Sequence, residues 1–172
     1  FQTAVVNGIS SAQRAVELDE TDAQNWAALG TIYSVLVAAG ETEVIARAEE
    51  AFTRARELAP TNPTYALLQA QLAVRTQDMD QARQLISEAI TLKPNYTDAL
   101  NFLTELEIAL GRTDEAIAAT RSIITLEPNN PARHYQLGIL LSSHPNTPPA
   151  TAPSPRPLPP PPTPPTTFTA TT

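Results

Sequence analysis

The chain has 172 residues, with 18 Asp and Glu against 11 Lys and Arg, two His, 17 Pro and no Cys. Without cysteine there is no disulfide framework, cysteine-ligated zinc or iron–sulfur site, or thiol nucleophile, and two histidines leave no multi-histidine metal site within one chain. The acidic balance argues against a nucleic-acid binder, which shows a basic stripe, and the longest strongly apolar stretch, residues 35–39, falls far short of the roughly 20 residues a membrane helix needs.

Proline divides the chain in two. Twelve of the 17 prolines fall in residues 144–172, and the other five are Pro60, Pro63, Pro94, Pro128 and Pro131. All 18 acidic residues lie before residue 144, against ten Lys and Arg, which leaves that part at −8; the remainder carries only Arg156. No signal-peptide pattern is visible, and the chain starts at Phe1, which reads as a fragment or a processed product.

Residues 1–143 repeat with a fixed period. Pro60, Pro94 and Pro128 are 34 apart, as are Leu58, Leu92 and Leu126, Ala48, Ala82 and Ala116, and Ala55, Ala89 and Ile123. Such a period signals stacked units that must be recognised before any local assignment. In chain order, residues 1–20 read as the second helix of one unit. The first complete unit opens on the helix around Trp26, carries six extra residues near 37–43 and ends at Pro60. Those extra residues are expected to lengthen both of its helices and to project a longer corner at Gly40. In the second unit "TQDMD" breaks the chain, a helix follows over 81–93, and Pro94 stops it. The third unit's second helix is expected over 113–127. Gly111 ends the helix before it through a positive φ, Asp114 and Glu115 favour its first turn, and Pro128 ends it. Residues 131–143 read as one further helix. No stretch shows the sustained period-two alternation of a strand.

The residues resemble a family. Trp26, Leu29, Gly30 and Tyr33, then Ala48, Phe52 and Ala55, then Pro60, follow the tetratricopeptide pattern W-x2-L-G-x2-Y, A-x3-F and terminal Pro. His134, Leu137, Gly138 and Leu141 stand at the equivalent places of the last unit. The resemblance covers residues 1–143. It implies an all-α, right-handed solenoid of helix-turn-helix repeats, with a partial unit over 1–21, repeats over 22–62, 63–96 and 97–130, and a partial unit over 131–143. Two departures stand out: Glu20 replaces the terminal Pro, and Gln69 replaces the Leu, which means either a rotated helix or a buried glutamine with a partner. Both ends fall inside a repeat, so apolar surface is expected there, with self-association through these uncapped ends as one outcome.

Family members use their first helices as a groove for a peptide or partner helix. The resemblance places Gln24, Ala27, Thr31 and Ser34 on that face, then Thr64, Leu67, Gln71 and Val74 with Arg75 at the edge. Asp98, Asn101, Glu105 and Ile108 follow, then Ala132, Tyr135 and Ile139. Some members clamp the C-terminal carboxylate of chaperones with basic side chains. The matching places here are Gln24, Ala28, Thr64, Leu68, Asp98 and Phe102. None supplies the cation a carboxylate needs, so that ligand is rejected.

Nothing points to catalysis, a cofactor or a metal. All five glycines are isolated, so there is no phosphate-cradling loop. Glu49 with Glu50, and Asp114 with Glu115, are adjacent and so do not share a helix face. Ser10, Ser11 and His134 are too far apart in a stacked solenoid to form a triad. His134 takes the aromatic packing place and is expected to be partly buried. Asn95-Tyr96-Thr97 matches a glycosylation sequon but sits at a repeat corner where such residues are routine.

Residues 144–172 read as a disordered, extended Pro/Thr-rich tail with polyproline character. Arg156, Pro159 and Pro162 match a pattern read by SH3 domains, cheaply in so proline-rich a run. The repeat breaks off in mid-helix, as a joined or out-of-frame segment would. The expected function is a non-catalytic interaction scaffold for a protein or peptide. The alternative is a tetratricopeptide appendage of a bacterial, membrane-bound O-antigen ligase or polymerase-like enzyme, which "ALGTIYSVLV" and the long first unit resemble. The compartment stays open between bacterial cytoplasm and envelope.

Overall fold

The computed structural model describes residues 2–143, with side chains from residue 6 onward, so the Pro/Thr-rich tail and Arg156 lie outside the described residues. Eight α-helices follow one another: α1 (Gln2–Leu18), α2 (Ala23–Ala38), α3 (Ile45–Leu58), α4 (Pro63–Arg75), α5 (Met79–Leu92), α6 (Thr97–Ala109), α7 (Thr113–Leu126) and α8 (Pro131–Ser143). No strand occurs among the described residues. Each helix packs on the next in sequence, and α2 also touches α4. The first helices α2, α4, α6 and α8 form one layer of a solenoid and the second helices α1, α3, α5 and α7 the other.

The same local chemistry starts three of the four first helices, α6 opening at Tyr96 without a side-chain cap, and ends the first helix of each complete unit. Asp22, Asn62 and Asn130 place a side-chain oxygen on the backbone N–H two residues on, at 2.8, 3.1 and 3.1 Å, opening α2, α4 and α8. These N-caps satisfy donors that the first turn leaves unpaired. Pro63 and Pro131 sit at the first helical position, where a missing N–H costs nothing. The first helices end alike. The N–H of Glu41, Asp78 and Arg112 bonds back to the carbonyl of Leu36, Ala73 and Glu107 at 3.0, 2.9 and 2.8 Å. The preceding residue takes a positive φ: 98° at Gly40, 64° at Gln77 and 70° at Gly111. This is the Schellman closure, and unit two makes it with a glutamine.

The six additional residues of unit one are distributed differently from the sequence expectation. α2 has 16 residues against 13 in α4, α6 and α8. α3 has 14, the same as α5 and α7. Only the first helix is lengthened. The rest forms the Gly40 corner and a 3-10 turn, Thr42–Val44, leading into α3.

Small residues on the second helices let the layers approach. Ala48, Ala55, Ala82, Ala89 and Ala116 are all fully buried. Phe52, Ile86 and Ile123 fill the space between them, at 1%, 0% and 0% exposure. Leu29, Tyr33, Phe52 and Leu72 share one apolar cluster with Trp26 packed against it. Fully burying side chains of this size stabilises by about 1.5–3 kcal/mol each. Gln69 is half-buried and has partners: Arg56 donates to its Oε1 at 2.7 Å, and its Nε2 reaches Thr53 Oγ1 at 3.5 Å. At the corner where Glu20 replaces Pro, the Trp26 indole N–H donates to the Glu20 carbonyl at 2.8 Å.

Candidate functional site

The groove positions divide by burial. Gln24, Thr31, Thr64, Arg75, Asp98, Glu105 and Tyr135 are exposed, and Gln71 and Asn101 are half-buried. Ala27 and Leu67 are buried, at 7% and 5% exposure, and so is Ser34 at 7%. This corrects their expected place in an open lining. Ala27 packs with Ala55 and Tyr65, and Leu67 joins the cluster of Ala66, Ala70 and Ile86, because neighbouring first helices close over that position. Three large apolar side chains stay in water towards the C-terminal end: Ile108 at 45%, Tyr135 at 73% and Ile139 at 50%. Tyr135 and Ile139 are four residues apart on α8 and share its face. Among the rejected clamp positions Leu68 and Phe102 are half-buried, and Gln24, Ala28, Thr64 and Asp98 are exposed.

The opposite layer carries charge. Arg56 on α3 donates to both carboxylate oxygens of Glu88 on α5, at 2.5 and 2.6 Å, while also holding Gln69 on α4. Both bonds come from the one nitrogen Nη2, a charge-assisted contact without the two-nitrogen fork, while Nη1 goes to Gln69. Arg83 Nε on α5 donates to Glu107 Oε1 on α6 at 2.6 Å. Glu107 is 1% exposed. Its Oε2 and Arg112 Nη1 stand 3.7 Å apart, and each lacks a hydrogen-bond partner. Arg83 and Arg112 are more open, with side chains 41% and 37% exposed. Glu107 lies beneath a cavity of about 720 Å³ whose walls include Asp80, Arg83, Gln84, Leu103 and Glu115.

Sequence reasoning missed Glu107. It stands at the repeat position of Tyr33, Ala73 and Leu141, where the pattern asks for a packing residue. The signal was an acidic residue in that column, although its partner Arg83 is 24 residues upstream. His134 was expected to be partly buried and is exposed instead. Its Nε2 lies 2.8 Å from the Pro128 carbonyl, while no second helix covers it among the described residues. Ser10 bonds the Val6 carbonyl at 3.0 Å, a turn back in its own helix. No group of three or more His, Asp or Glu suited to a metal occurs among the described residues. No described helix is long and apolar enough to cross a membrane.

A two-layer stack of antiparallel helix pairs, each with a small residue on one helix and an alanine column on the other, defines a helical-repeat solenoid. Two tetratricopeptide-repeat family models match, one over residues 37–97 and one over residues 73–140. The chain belongs to the tetratricopeptide-repeat family. Solved structures agree on the fold. A thermophilic tetratricopeptide protein of Thermus thermophilus, TTC0263, superposes with a TM-score of 0.70 at 17% identity, over 82% of this chain and 75% of that one. YrrB, described as having an unusual peptide-binding site, gives 0.58 at 19% identity, over 81% and 69%. The first tetratricopeptide domain of Spaghetti (RPAP3), bound to the HSP90 peptide SRMEEVD, gives 0.56 at 21% identity, over 70% and 94%. No curated protein matches the chain.

Proposed function

We propose that this solenoid is a non-catalytic protein-interaction scaffold whose first-helix face takes a peptide or partner helix bearing an apolar anchor beside a basic residue. The supporting observation is the exposed set Ile108, Tyr135 and Ile139, with exposed Asp98 and Glu105 on α6, the helix of Ile108. Large apolar side chains grouped in water mark interaction surfaces. Carboxylates beside them favour a cationic flank and speed its approach. Peptide binding by RPAP3 and YrrB gives the fold a precedent. An acidic tail such as SRMEEVD meets no cation at the clamp positions.

Fluorescence anisotropy with labelled peptides tests this reading. A peptide combining Leu or Phe with Arg or Lys should bind more tightly than SRMEEVD, and binding should weaken with salt. Tyr135→Ser with Ile139→Ser should weaken it about tenfold or more, the equivalent of roughly 1.4 kcal/mol. Preference for the acidic peptide, or indifference to the double substitution, would sink the proposal.

A further inference from the structure

One side of α8 is left open by the described residues, and the chain's own repeats show what shape fits there. In unit one, a β-carbon added to Gly30 would lie 2.7 Å from the Phe52 ring. The same addition to Gly138, at the same repeat position on α8, meets nothing within 4 Å. The two helices are seated alike. The Trp26 ring nitrogen bonds the carbonyl six residues before it at 2.8 Å, and the His134 ring nitrogen lies at the same distance from the carbonyl six before it. α8 therefore continues the series of first helices, with bare the side that α3, α5 and α7 cover in the units before.

We propose that this face is a socket for an amphipathic helix of a partner protein that carries a small, an aromatic and a small residue at i, i+4 and i+7. Size matching across the layers carries the argument. The first-helix residue at this position is Gly30, Ala70 and Thr104 in the three complete units, and its counterpart on the second helix is Phe52, Ile86 and Thr120. All three counterparts are at most 1% exposed. The largest faces the glycine, Ile86 shares a core cluster with Ala70, and the smallest stands at the same register as the threonine. Glycine returns at 138, so the fitting counterpart is again aromatic, with small residues one turn to either side as in Ala48 and Ala55.

Two other occupants fit less well. Residues 144–172 hold 12 prolines and no proline-free run longer than the seven residues 166–172, whereas the covering helices α3, α5 and α7 each have 14 residues. Proline inside such a helix would break it. In a second copy, α3, α5 and α7 are already engaged. Its α1 offers Gly8, Ala12 and Ala15 at the right spacing, but Ala12 leaves the space over Gly138 unfilled.

The full chain and a labelled synthetic peptide with the sequence of residues 45–59 test the socket. The peptide should bind saturably. Its Phe52→Ala version should bind about tenfold or more weakly, since truncating a buried Phe is costly. Gly138→Leu should abolish binding while leaving the helical circular dichroism unchanged, because the new side chain enters open space. Groove variants Tyr135→Ser and Ile139→Ser should leave it intact, which separates this socket from the first-helix groove. Absence of saturable binding, or equal binding to Gly138→Leu, overturns the proposal. Concentration-dependent self-association that Gly138→Leu removes would assign the face to a second copy and overturn the partner assignment.

Discussion

The Phe52 ring lies over Gly30 so closely that a β-carbon on the glycine would stand 2.7 Å from two ring carbons and 3.1 Å from a third. Phe52 is 1% exposed and belongs to the cluster of Leu29, Tyr33 and Leu72, so the ring has nowhere to move without displacing its neighbours. Gly30→Ala should therefore destabilise the chain by about 1–3 kcal/mol, the usual range for overpacking. Gly138→Ala has the opposite expectation. With nothing within 4 Å, it gains only helix propensity, up to ~1 kcal/mol of stabilisation. Urea unfolding of both variants checks the pair, and equal effects would contradict the geometry.

Glu107 holds Arg83 from the preceding unit while being almost wholly buried. Glu107→Ala removes the only carboxylate those bonds use and opens a void beneath the cavity. The loss should be about 1–3 kcal/mol by urea unfolding, below that of a fully buried pair because both arginines reach water. Glu107→Tyr restores the residue type of the Tyr33 position and should recover part of the loss. A Glu107→Ala chain as stable as the parent would show that the pair contributes nothing.

Gln77 adopts φ 64° where the other two complete units use glycine. Side chains with a β-carbon are disfavoured there by roughly 1–2 kcal/mol. Part of that is offset by the greater freedom of glycine in the unfolded chain. Gln77→Gly should stabilise the chain by up to ~1 kcal/mol, read as a raised thermal midpoint. A lowered midpoint would show that the Gln77 side chain has a role its backbone does not suggest.

Asp19 accepts from the Thr21 hydroxyl at 2.7 Å and from the Thr21 backbone N–H at 2.9 Å. The hydroxyl first, and the N–H next, hold its carboxyl below the ordinary value. A depressed folded pKa adds stability that is present above the unfolded value and disappears as pH falls through the folded one. Thr21→Val should raise the Asp19 midpoint in an NMR titration and remove that part of the acid-side dependence. The backbone donor remains, so the shift should be partial. An unmoved midpoint would show that the hydroxyl bond does not persist in solution.

Much of the fold was legible because its determinants are local and repeated. Pro60, Pro94 and Pro128 mark unit ends, and the columns through Ala48 and Ala55 mark the buried stripe of each second helix. Gly111 could be read as a positive-φ residue since glycine alone adopts that geometry without strain. Gln77, in the same geometry, could not. The lengthened unit was visible as six residues, but whether they extend a helix or form a 3-10 turn depends on packing against α3. The face of α8 was the least legible part. His134 reads as a packing residue by register, and its exposure depends on what lies opposite. Ala27 and Leu67 were misplaced for a related reason, because their register points to the groove while the adjoining first helix decides their burial.

Polar ties recur at successive unit boundaries: Arg56 on α3 with Glu88 on α5, Arg83 on α5 with Glu107 on α6, and Arg133 on α8 with Glu127 at 3.4 Å. Each ties a residue of one unit to a residue of the next. A stack whose neighbouring units are laced by ion pairs is jointed at those boundaries, and loosening a lace lets the angle between two units change. Ionic strength, which slackens the laces, would thereby act on the width of the groove as well as on the charges of Arg75, Asp98 and Glu105 that line it.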